Sequence, residues 1–158
     1  MKPAASLLFW AVVVAVMGTI IWRQIDSGDA SGPWLLGAFL TAHGFVHLLF
    51  LIPESEATPT PWAFDMSRSW TISGPGLSLG TVRSVGLVLM ALGVAGFVVS
   101  GLGAAGVAVP ASWWQASLIG SAAVSSVMLA MFFNGQMIIG LAINVVLAWM
   151  ALADLWTP

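Results

Sequence analysis

Apolar positions fall into five long runs, over residues 5–22, 34–52, 82–107, 113–133 and 136–155, and polar positions collect between them. Each run is close to the length of about 20 residues that a helix needs to cross a bilayer. The breaks carry residues that end helices. Pro33 opens the second run at a first-turn position where proline is tolerated, and Pro53 closes it. Pro110 and Ser112 punctuate the third and fourth runs, and Asn134-Gly135 is a turn signal before the fifth. The pattern predicts an all-α polytopic transmembrane bundle of about five spans, a single domain over residues 1–158.

The first run follows Lys2 and ends at Trp22-Arg23. A positive start before an apolar core also fits a secretory signal peptide. The length, the Trp-Arg ending and the lack of a small-x-small cleavage site favour a retained span. Residues 53–81 form the long hydrophilic interval. Pro59, Pro61 and Pro75 argue against a helix through its start, while Trp62, Phe64 and Trp70 set it apart from an aromatic-poor linker. This reads as a loop folded back onto the membrane interface. Small residues recur every fourth position in the last three runs: Gly96, Ser100 and Ala104; Ser117, Ser121 and Ser125; Gly140, Asn144 and Ala148. Such stripes let helices approach closely in lipid.

Composition strengthens the membrane reading. Of 158 residues 59% are hydrophobic and 6% charged, too few charges to cover a water-facing surface. The net charge of −2 offers no basic patch, so nucleic acid is not an expected partner. With no cysteine, disulfides, thiolate metal sites and cysteine nucleophiles are excluded; with no tyrosine, nine tryptophans supply the aromatic belt. Lys2, Arg68 and Arg83 fall on one side of a five-span chain and Arg23 on the other. The positive-inside rule then makes the side of the N-terminus cytoplasmic. The expected location is the cytoplasmic (inner) membrane, multi-pass, with the lipid bilayer and self-association or a larger membrane complex as partners.

Candidate chemistry centres on His43 and His47, one helical turn apart inside the second run. His43 lies nine residues from the end of its run, Asn144 eight from the start of its own, and Ser125 eight from the end of its own. At 1.5 Å per residue all three sit about 12–14 Å below one face. His47 lies nearer that face. A shared polar layer of His43, His47, Ser125 and Asn144 is expected, and several readings compete for it. Two histidines at i and i+4 suit a metal, with Glu54 as the nearest third ligand in sequence beyond Pro53. Proton relay through imidazole is chemically open. Haem is disfavoured, since two histidines on one helix face cannot both ligate the same iron. The plain reading is that the layer locks helix packing with neutral histidines. Ser117, Ser121 and Ser125 read as packing residues, Asp65 and Arg68 as a local ion pair, and Met128, Met131 and Met137 as ordinary apolar residues despite their affinity for soft metals. No P-loop, GxSxG, HExxH or dinucleotide glycine pattern is present, so no catalytic residues and no cofactor are expected.

Three pieces carry a resemblance: Ala42-His43-Gly44-x-x-His47-Leu48, Trp62-Ala-Phe-Asp65-x-Ser-Arg-Ser-Trp70, and Phe132-Phe-Asn134-x-x-x-x-Ile139-Gly-Leu-Ala-Ile-Asn144. The chain from about Trp34 onward resembles small bacterial integral membrane proteins of four spans with a His-Gly-x-x-His motif in a transmembrane helix and no assigned function. The resemblance implies a membrane bundle with the first run added at the front, and supplies no activity. Where it implies Asp at the end of the last piece this chain has Asn144, which weakens a proton-carrier or cation reading there. The expected function is structural or accessory. The alternative is a membrane-embedded histidine site, metal or proton, serving transport or redox chemistry. A small-solute channel is disfavoured because few polar positions line a pore.

Overall fold

A computed structural model describes residues 15, 18, 19, 22, 32–51, 66, 69–73, 76–135 and 137–154. Among the described residues four continuous α-helices carry the fold: α1 Gly32–Val46, α2 Leu79–Ala104, α3 Trp114–Met131 and α4 Met137–Leu152. A 3₁₀ turn, His47–Leu51, continues α1, and another, Ala111–Trp113, leads into α3. There is no strand among the described residues.

Local chemistry sets the helix ends. The Ser78 hydroxyl caps α2 by accepting from the Thr81 N–H at 3.1 Å, so the helix starts earlier than the apolar run. At its other end Gly106 adopts φ +68°, its N–H reaching the Gly103 carbonyl and that of Val107 the Leu102 carbonyl. This left-handed glycine closure satisfies carbonyls the last turn leaves open. It stops α2 at Ala104, where the apolar pattern ran on to residue 107.

Consecutive helices run antiparallel. Gly37 near the start of α1 faces Gly101 near the end of α2, and Gly103 faces Trp114 at the start of α3. Leu129 meets Gly140, while the Gln115 amide donates to the Ala151 carbonyl. The first and last helices are wider apart: no Cα of α1 lies within 8 Å of a Cα of α4.

The interior divides into two apolar clusters. One joins Leu36, Leu40, Phe97, Leu118, Ile143 and Leu147 with their neighbours at the α1 N-terminal end. The other joins Met66, Met90, Met128, Phe132 and Met137 with Val82 and Leu129 at the opposite end. Buried polar side chains, including His43, His47, Ser125 and Asn144, lie inside, whereas Leu35, Phe45, Val88, Leu92, Ile138 and Val145 face outward. An apolar exterior around a polar seam suits lipid as the solvent.

Among the described residues, three helical segments are long and apolar enough to cross a membrane: Gly32–Leu51, Leu79–Ala104 and Ala111–Met131. The expectation of about five spans is therefore not supported. The last apolar run forms α4 of 16 residues, short of the usual spanning length because the turn before Met137 and the end at Leu152 trim it. Of the first run only Ala15, Gly18, Thr19 and Trp22 are described, all helical and exposed. Its crossing and retention, and with them Lys2 and Arg23, lie outside the described residues, as do Glu54, Trp62, Phe64, Asp65 and Arg68.

Candidate functional site

The polar layer lies between the two apolar clusters. Along α3, Ala122 belongs to one cluster and Met128 to the other, with Ser125 between them. The heptad-like spacing of the buried positions Leu36, Leu40, His43 and His47 turns both imidazoles toward the interior. Asn144 follows the buried Ile143 on α4 and is almost fully enclosed.

The structure brings all four residues together. His43 Nε2 is 3.1 Å from Asn144 Oδ1, Asn144 Nδ2 is 2.8 Å from Ser125 Oγ, Ser125 Oγ is 2.7 Å from His47 Nε2, and His47 Nδ1 is 3.0 Å from the His43 carbonyl. The acceptors dictate the direction. Asn144 Oδ1 only accepts, so His43 Nε2 carries hydrogen; the His43 carbonyl only accepts, so His47 Nδ1 carries hydrogen. With both rings neutral, the Ser125 hydroxyl receives from Asn144 and donates to His47 Nε2. Four side chains and one carbonyl then close a circuit in which every step has one donor and one acceptor. Its reverse is forbidden, because a carbonyl oxygen has no hydrogen to give.

Aromatic rings wall the layer. Phe97 stands edge-on to His43 with centroids 4.7 Å apart, Phe39 stacks on it at 6.0 Å, and His43 and His47 meet edge to face at 5.4 Å. Phe50 closes the far side of His47 at 5.7 Å. Through His43 and Asn144 the circuit bridges the wide seam between α1 and α4, which backbone packing does not close.

The other small polar residues act locally. Ser117 bonds the Trp113 and Trp114 carbonyls and Ser121 that of Leu118, both within their own segment. Ser100 reaches the Trp114 carbonyl at 2.8 Å and joins α2 to α3. Among the described residues no third His, Cys, Asp or Glu joins His43 and His47 in a metal-binding group, and Glu54 is not among them.

Sequence reasoning missed two features. Phe39 and Phe97 as walls of the histidine layer require helix rotations that apolar runs do not encode. The docked loop was anticipated only as aromatic and interfacial. Its Ser69 hydroxyl donates to the Met131 carbonyl at 2.6 Å and Trp70 Nε1 to the Ala130 carbonyl at 2.5 Å, satisfying open carbonyls at the end of α3. No family model matches the chain, and no curated protein or solved structure matches it either.

Proposed function

We infer that this is a multi-pass protein of the cytoplasmic membrane in which each of α1–α4 crosses, with a structural or accessory role. The resemblance to small four-span bacterial membrane proteins points the same way. Exposed tryptophans support the crossing: Trp34, Trp113 and Trp149 ring one end, and Trp70 marks the other. Trp70 is tied to Ala130, seventeen residues along the chain from Trp113. That separates the two belts by about 25 Å at 1.5 Å per residue, close to the hydrocarbon thickness of about 30 Å. α4 pairs with α3 from Leu129 to Gln115 and so covers most of the same depth.

One observation carries the structural reading: Asn144 sits between His43 and Ser125 in the circuit. An amide does not accept and release a proton as a carboxylate or imidazole does, so it interrupts relay between the two histidines. A divalent ion held by two imidazoles, an amide and a hydroxyl would bring an uncompensated double charge into the membrane interior. The same groups as a neutral circuit are well matched. They hold the α1/α4 seam and through it the bundle, as an element that packs with itself or within a larger membrane complex.

A double-mutant cycle tests this in detergent. His43→Ala and Asn144→Ala each lower thermal stability, and together they cost less than their sum, with a coupling of about 0.6–1.7 kcal/mol. Strict additivity would overturn the lock. Reporters placed at Thr60 and at the C-terminus should read opposite sides of the membrane, three crossings apart; same-side signals would break the four-span reading.

A further inference from the structure

We propose that the methionine-rich end of the core is a binding site for a soft monovalent metal ion, of the Cu(I) or Ag(I) class, held by the thioethers of Met66, Met90, Met128 and Met137. The observation is segregation. Among the described residues, four of the seven buried members of this cluster are methionine, against one of eleven, Met150, in the other. They come from four separate elements, the loop before α2, then α2, α3 and α4, and belong to one buried contact cluster. Flexible methionine suits this end on packing grounds, and its gathering there also places four soft donors in one buried cluster.

Donor chemistry selects the ion. Thioether sulfur is soft and neutral and prefers Cu(I)-like ions to Zn(II), Mg(II) or Ca(II). A single charge also suits a site without acidic partners, since the desolvation cost rises with the square of the charge. Access does not require crossing the hydrocarbon. Met66 is supplied by the loop at this end, whose neighbours Ser69 and Trp70 are pinned to the last carbonyls of α3. The circuit occupies His47 Nε2, so the site stands on sulfur and is independent of the role proposed for the histidines.

The test is silver titration of the full chain in detergent, with ¹³C-methyl methionine observed by NMR in chloride-free buffer. One equivalent of Ag(I) should shift the methyls of Met66, Met90, Met128 and Met137 together and leave Met150 in place. Met90→Leu with Met128→Leu, close in volume, should weaken binding by 100-fold or more, while Met150→Leu leaves it unchanged. Absence of saturable binding, equal shifts at Met150 or undiminished affinity in the double variant would each overturn the site. The wild-type methyl map decides the matter even if the double variant does not fold.

Discussion

The two ends of this bundle are packed by different means. At the end marked by Trp34 and Trp113, helices meet backbone to backbone. A Cβ built on Gly37 would lie 2.5 Å from the Gly101 carbonyl oxygen and 2.9 Å from Ala105 Cβ, and one on Gly96 would lie 2.7 Å from Ser121 Cβ. At the methionine end the glycines face the tips of side chains: Gly86 the rim of the Phe132 ring at 3.0 Å, Gly140 the Leu129 Cδ1 at 3.0 Å. Backbone cannot yield and side-chain tips can. The first end is therefore a rigid clamp and the second an adaptable one, with the hydrogen-bond circuit between them. In lipid, where helices gain little from hiding apolar surface from one another, close approach is what holds the clamp.

The largest effect should come from attacking the clamp. Gly101→Ala places a methyl against Thr41 Oγ1 and the Gly37 carbonyl, and is expected to cost about 1–3 kcal/mol as overpacking that nothing can relieve. Gly140→Ala, facing only Leu129 Cδ1, should be close to neutral, since the helix gains about 0.5–1 kcal/mol from losing a glycine. Thermal unfolding in detergent compares the two. Equal costs would erase the distinction between the ends.

That distinction was only partly legible in the sequence. Apolar runs located α1 to α4 within a few residues, and matched depths put His43, Ser125 and Asn144 in one layer. The small-residue stripes were visible, but the tight α1–α2 contact at Gly37 and Gly101 went unread, because spacing along one helix does not say which face meets which neighbour. The end of α2 was overrun because Gly106 looked like another small residue in an apolar run and turned out to be a left-handed stop. Met128, Met131 and Met137 read as ordinary apolar residues, because their gathering with Met66 and Met90 depends on tertiary packing. Two of the three stripe serines bond their own backbone, a choice that four-residue spacing leaves open.

A second pair of changes sharpens the same contrast at intermediate size. Met128→Leu should cost under about 1.5 kcal/mol, because it conserves volume where neighbours adapt. Leu118→Ala in the larger cluster should cost about 2–5 kcal/mol, because rigid surroundings close poorly over the cavity. Urea or sodium dodecyl sulfate titration of both variants reads the difference; a Met128→Leu loss as large as that of Leu118→Ala would show that the methionine end is packed as strictly as the other.

The smallest effect belongs to the loop over the adaptable end. Trp70 is 74% exposed, yet its indole N–H is engaged by the Ala130 carbonyl. An exposed hydrogen bond of this kind contributes about 0.5–1.5 kcal/mol at most, since water replaces much of it. Trp70→Phe keeps an aromatic body for the membrane interface and removes only the donor. Ser69→Ala removes a bond made by a hydroxyl that is almost fully buried, so it should loosen the loop more than Trp70→Phe does. Limited proteolysis in inverted vesicles gives the order: little cutting within residues 69–73 in the parent, slightly more in Trp70→Phe, most in Ser69→Ala. If all three are cut as fast as an unfolded peptide, the loop is not held by these two bonds. The adaptable end would then owe its shape to the methionine cluster beneath it.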